Sequence, residues 1–145
     1  MSKFAASLAV AAVLLSASAI AETAKPTVVL VHGAFADSSS WNGVTRILQK
    51  DGYNVVAAAN PLRSVSGDAA YVSSVVNNIK GPVVLVGHSY GGQVITNAAR
   101  DTNNVKSLVY VAAFAPDAGE AAADLAGKFP GGTLGQALAT PVKLA

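Results

Sequence analysis

One serine carries most of the chemistry this sequence offers. Ser89 stands at the centre of Gly87-His88-Ser89-Tyr90-Gly91, a G-x-S-x-G spacing. The apolar run Val83-Val84-Leu85-Val86 precedes it and a helix-like stretch follows from Gly91. A serine hydroxyl attacks a carbonyl well only if a base takes its proton and donors hold the developing oxyanion. A strand–turn–helix setting meets the second need. It throws Ser89 out at the carboxyl end of a strand, where open α/β sheets bind ligands. It also aims the Tyr90 backbone N–H, at a helix N-terminus, toward the oxygen of an attacked carbonyl. Such a turn brings strand backbone against helix backbone, and side chains at its flanks would collide; Gly87, Gly91 and Gly92 remove them.

A second signal lies upstream. The strand-like run Thr27–Val31 ends in His32-Gly33, two strand–helix units before the turn. A loop beside the nucleophile strand is where a second oxyanion donor is needed. Rival uses of the glycines fit less well. The G-x-G-x-x-G fingerprint is absent, Gln93 stands where a looser dinucleotide loop needs glycine, and no Walker lysine is present. A packing turn with an inert serine remains the plainer alternative for this stretch alone.

Removal of the serine proton has no evident agent. The chain holds two histidines, His32 and His88, and both precede Ser89. His32 is expected to be structural, its ring bonded to nearby backbone. His88, adjacent to Ser89 on a strained turn, should project away from the hydroxyl. Among later carboxylates, Asp117 reads as a loop or cap residue, and Asp101 and Asp124 as solvated.

The elements that must position these groups alternate regularly. Buried β-branched runs are expected at Thr27–His32, Tyr53–Ala59, Pro82–Gly87 and Val105–Phe114. Between them fall helices. The first is capped by Asp37 and Ser38 to Ser40, with Trp41, Val44, Ile47 and Leu48 on one face, and ends at Asp51-Gly52. The second is capped by Ser66, buries Ala69, Val72, Val75, Val76 and Ile79, and stops at Gly81-Pro82. The third spans Gly91 to Arg100. This order predicts the α/β class, a parallel sheet with helices on both faces. The tail from Pro116 is rich in Ala, Gly and Pro, with weak helix patterning and no clear strand.

Composition bounds the rest. The chain has 145 residues, enough for one domain, and a net charge of +2 gives no basic face for nucleic acid. Zero cysteines exclude a disulfide scaffold, a thiol nucleophile and a zinc-thiolate site. Lys3, an apolar run and Ala19-Ile20-Ala21 follow the order of a Sec secretory signal peptide, expected over residues 1–21 with cleavage after Ala21. Its apolar run is too short to span a bilayer, and no twin arginine is present. The mature chain is expected to be periplasmic or secreted, with no membrane attachment after cleavage.

The stretches VVLVHGAFADSSSW, LVGHSYGG and LVYVAAFAP together resemble the α/β-hydrolase fold superfamily. The resemblance is closest to small bacterial esterase-like serine hydrolases, and more distant to the plant methylesterase and hydroxynitrile lyase group. It covers the mature chain to about Gly119. It implies Ser89 as nucleophile, the backbone N–H groups of Ala34 and Tyr90 as the oxyanion hole, no cofactor and no metal. His32, Gly33, Gly87, His88, Gly91 and Gly92 are then structural parts of the motif. The implied substrate is a small ester or related carbonyl compound, though lyase and peroxidase-like chemistry share this front half.

The family's triad runs Ser, Asp or Glu, then His, and neither partner is found after Ser89. Ala112 and Ala113 occupy one position where the acid can stand. The expectation is an incomplete fold of about four strands: residues 22–117 its amino-terminal portion, 118–145 the start of a lid, and acid and base outside this chain. Alone it should be near-inactive and weakly folded, with Val105–Ala113 an exposed apolar edge. Uncovered helix faces would lose roughly 25 cal/mol per Å² of burial. A non-catalytic binding protein that kept the fold is the alternative; a nucleotide-dependent oxidoreductase is the weaker one.

Overall fold

The computed structural model describes residues 25–128, 131–140 and 142. The signal-peptide expectation for residues 1–21 lies outside the described residues. Among those described, no helix is long and apolar enough to cross a membrane.

Four strands, β1 (Thr27–Val31), β2 (Val55–Ala58), β3 (Val83–His88) and β4 (Val105–Val111), form one parallel sheet in the order β2-β1-β3-β4. The helices are α1 (Asn42–Lys50), α2 (Val65–Asn77), α3 (Gly91–Ala98), α4 (Ala122–Lys128) and α5 (Leu134–Ala137). The α/β expectation holds; β1, β2 and β4 are shorter than expected, and β3 is shifted by one residue to end at His88. β4 stops at Val111 because Ala112 turns into the left-handed region at φ 42°.

Alternation along the central strands sends side chains to two cores. Val29 and Val31 of β1 with Val83 and Leu85 of β3 pack against Ala69, Val72 and Val76 of α2 and Val94, Ile95 and Ala98 of α3. Val28, Leu30 and Val86 face the other way, onto Trp41, with Leu48 partly buried beside them. Helices therefore cover both faces.

The chain leaves β1 toward β2, then crosses back to place β3 on the other side of β1. That reversal is a topological switch point, and the carboxyl ends of β1 and β3 flank the crevice it makes.

Two local expectations are corrected, one helix cap and one buried face. Asp37 caps the 3₁₀ turn Ser38–Trp41 by accepting the Ser39 N–H at 2.8 Å. The cap of α2 is Ser64, not Ser66: the Ser64 hydroxyl accepts the Gly67 N–H at 3.1 Å. Ser66 lies two residues too late, already inside the helix. The expected buried face of α1 is corrected as well. Ile47 is 63% exposed and Val44 39%, because no described element packs on that side. The β4 edge is open as expected, with Val109, Tyr110 and Val111 each exposed. The tail carries two short helices, α4 and α5, neither burying a residue.

Candidate active site

The turn from β3 into α3 holds Ser89 at φ 52°, a left-handed backbone that a residue with a Cβ rarely adopts. Strain of this kind persists only where the surroundings enforce it. Here the enforcement is backbone hydrogen bonding. The Ser89 carbonyl accepts the N–H groups of Gly92 at 3.0 Å and Phe114 at 3.2 Å. The Ser89 N–H donates to the Val111 carbonyl at 3.4 Å, tying the turn to the end of β4.

Close approach explains the glycines. A Cβ on Gly87 would stand 2.5 Å from the Gly91 carbonyl oxygen. One on Gly91 would stand 2.5 Å from the Val31 carbonyl, and Gly92 abuts Ala113 and Phe114. Gly33 meets the turn from the β1 side: its Cβ would lie 3.0 Å from Ser89 Cβ and 3.1 Å from His88 Nδ1. The loop after β1 is thus pressed against Ser89, as the switch-point geometry requires.

Two backbone amides flank Ser89 from these two loops. Ala34 follows Gly33 in the turn after β1, and Tyr90 precedes the first residue of α3. Neither N–H donates a hydrogen bond among the described residues. Tyr90 also sits at the positive end of a helix.

The histidines are engaged elsewhere. His32 is buried, and its Nδ1 lies 2.9 Å from the Gly33 carbonyl oxygen. His88 shares the α1-side parity of Val84 and Val86, and its ring meets Trp41 edge-on at 6.4 Å between centroids. The carboxylates are equally remote in role. The Asp117 N–H donates to the Glu120 carboxylate at 2.9 Å, and Glu120 pairs with Lys128 at 2.6 Å. Asp101 and Asp124 are exposed.

One residue of the site escapes a reading of the sequence. Asp68, fully buried on α2, accepts the Tyr90 hydroxyl at 2.8 Å and the Arg63 backbone N–H at 3.0 Å. Burial, and then the hydrogen bond and charge of Asp68, push the Tyr90 phenol well above the usual tyrosine range. The available signal was an aspartate set among the buried positions of α2, four residues before Val72 and next to Ala69.

Three cavities, of about 530, 360 and 560 Å³, are lined in part by residues between Ala113 and Leu138. None of the three is lined by Ser89.

The sheet order, the strained serine at the switch point and the glycine contacts together make a tight strand-to-helix elbow of the G-x-S-x-G type. Residues 28–143 match the family profile described as the alpha/beta hydrolase family, and the chain belongs to that family. A carbendazim hydrolyzing esterase of Nocardioides sp. (strain SG-4G) is 33% identical over 105 residues, 63% of this chain and 43% of that protein. Among solved structures, an extracellular alpha/beta-hydrolase from a Paenibacillus species is similar at a TM-score of 0.65 and 26% identity. It is described as sharing structural and functional homology with tobacco salicylic acid binding protein 2. The match covers 77% of this chain and 49% of that one. Tomato methylketone synthase I, at 23% identity and a TM-score of 0.60, shares the fold over 72% of this chain and 46% of its own. The chain thus spans less than half the length of each of these relatives.

Proposed function

We propose that these residues form the nucleophile-bearing part of a secreted or periplasmic serine esterase acting on a small ester. The observation that carries the reading is Ser89 at φ 52°, with Gly33 against its Cβ and two unpaired amides beside it. The named esterase relative supports the substrate class. The signal-like residues 1–21 support secretion.

In this reading Ser89 Oγ attacks the ester carbonyl while its proton passes to a base. The carbonyl oxygen becomes an oxyanion held by the Ala34 and Tyr90 N–H groups. Each such donor is worth on the order of 10²–10³ in kcat. The alcohol then leaves with the proton, and water releases the acid from acyl-Ser89. The acid and histidine of the triad lie, on this reading, outside residues 1–145, because His32 and His88 are bonded or stacked elsewhere.

Ester turnover by the natural gene product tests the proposal. Ser89→Ala is expected to lower kcat by at least about 10³-fold, in keeping with loss of a triad member; undiminished turnover overturns it.

The placement of both imidazoles also favours a second reading, a non-catalytic member of the family. Reading the coding sequence past codon 145 separates the two. A downstream acid and a late histidine support the esterase; a stop codon with no ester turnover supports the non-catalytic protein.

A further inference from the structure

Tyr90 is held by its side chain as well as its backbone, and this second hold belongs to none of the motifs described above. Its hydroxyl donates to Asp68 Oδ2 at 2.8 Å, while Asp68 Oδ1 accepts the Arg63 N–H at 3.0 Å. Arg63 follows Leu62, which has φ 57°, in the connection from β2 to α2. One buried carboxylate therefore joins that connection, α2 and the residue that precedes the elbow helix α3.

Burying a carboxylate is costly, and its hydrogen bonds at best offset that cost. A phenylalanine at position 90 would fill nearly the same volume without needing the charge. The pair is thus poorly explained as a source of stability, and its distinctive product is geometry. A phenol anchored through its hydroxyl to α2 limits how far the Tyr90 Cα and its backbone can shift, and with them the amide beside Ser89.

We propose that Asp68 is a positioning residue that aims the Tyr90 N–H through the Tyr90 phenol. The inference rests on the esterase reading, since that reading gives the amide its task. Misplacing a reacting group by 1 Å can cost about 10²-fold in rate. Tyr90 keeps a backbone anchor, its carbonyl accepting the Gln93 N–H at 3.0 Å. Loss of the phenol contact should therefore cost less, about tenfold.

The test uses the natural gene product and two readouts. Hydrogen–deuterium exchange of the elbow amides, residues 89–94, is expected to quicken about tenfold in Tyr90→Phe, with β1 unchanged. In turnover, Tyr90→Phe should lower kcat about tenfold with KM held within twofold. Asp68→Asn, which keeps one acceptor, should lose less than Asp68→Ala. Tyr90→Phe added to Asp68→Ala should cost nothing further, because both act through one contact. Wild-type exchange at the elbow in Tyr90→Phe overturns the proposal, as do losses that multiply in the double variant. Full turnover by Ser89→Ala instead overturns the esterase reading and the catalytic task assigned to Asp68. The exchange result then still decides whether the contact orders the elbow.

Discussion

Replacing Gly87 with alanine puts a methyl group where backbone already stands. Its Cβ would lie 2.5 Å from the Gly91 carbonyl oxygen, 2.6 Å from the Gly91 carbonyl carbon and 2.8 Å from the Gly92 nitrogen. Unstrained carbon contacts sit at about 3.5–4.0 Å, so the start of α3 must withdraw by about 1 Å. It is not free to do so, since the Gly92 N–H is bonded to the Ser89 carbonyl and Gly91 already rests on the Val31 carbonyl. Overpacking costs about 1–3 kcal/mol, and rigid backbone on every side puts this case near 3. At about 4 °C per kcal/mol for a domain of this size, the melting temperature should fall by about 12 °C. Gly43, in the first turn of α1, is the control, because nothing lies within 4 Å of its Cβ position. Alanine there should gain about 0.5–1 kcal/mol from helix propensity and raise melting by about 2–4 °C. Thermal unfolding followed by circular dichroism, with urea titrations alongside, reads both. A Gly87→Ala protein within 1–2 °C of wild type, or equal losses in the two variants, refutes the crowding argument.

Two further outcomes follow from particular contacts. The Tyr90 phenol titrates above its ordinary value of 10.0 in the folded chain, so the fold favours its neutral form. Its contribution is complete below that value and is lost as pH rises through the higher folded pKa. Urea stability should therefore fall less steeply above pH 10 in Tyr90→Phe than in wild type; parallel curves contradict this. On the β4 edge, Val109 is 42% exposed. Val109→Lys should shift stability by no more than about 0.5 kcal/mol while reducing aggregation seen by light scattering. Unchanged aggregation argues that the edge is not the sticky surface.

The sheet was legible because buried parallel strands write themselves as β-branched runs, and Val28 to Val31 and Val83 to Val86 do so plainly. The elbow was legible for a related reason: Gly87, Gly91 and Gly92 record backbone contacts that no other residue type tolerates. Caps and faces were less so. Ser64 and Ser66 are equally good caps in isolation, and only the turn into α2 selects the first. Ile47 has the spacing of a buried residue, but burial needs a neighbour, and spacing on α1 cannot report one. Asp68 was illegible for the same reason in reverse. An aspartate in the first turn of a helix reads as a solvated partner of the dipole. The hydroxyl it accepts belongs to Tyr90, which lies 22 residues further on.

The central question is whether Ser89 is a nucleophile. Treating the natural gene product with a fluorophosphonate and mapping the adduct by mass spectrometry asks this directly. The expected result is a single phosphonylated peptide carrying Ser89, absent from Ser89→Ala. An unmodified Ser89 after exhaustive treatment, or labelling that survives the substitution, contradicts it.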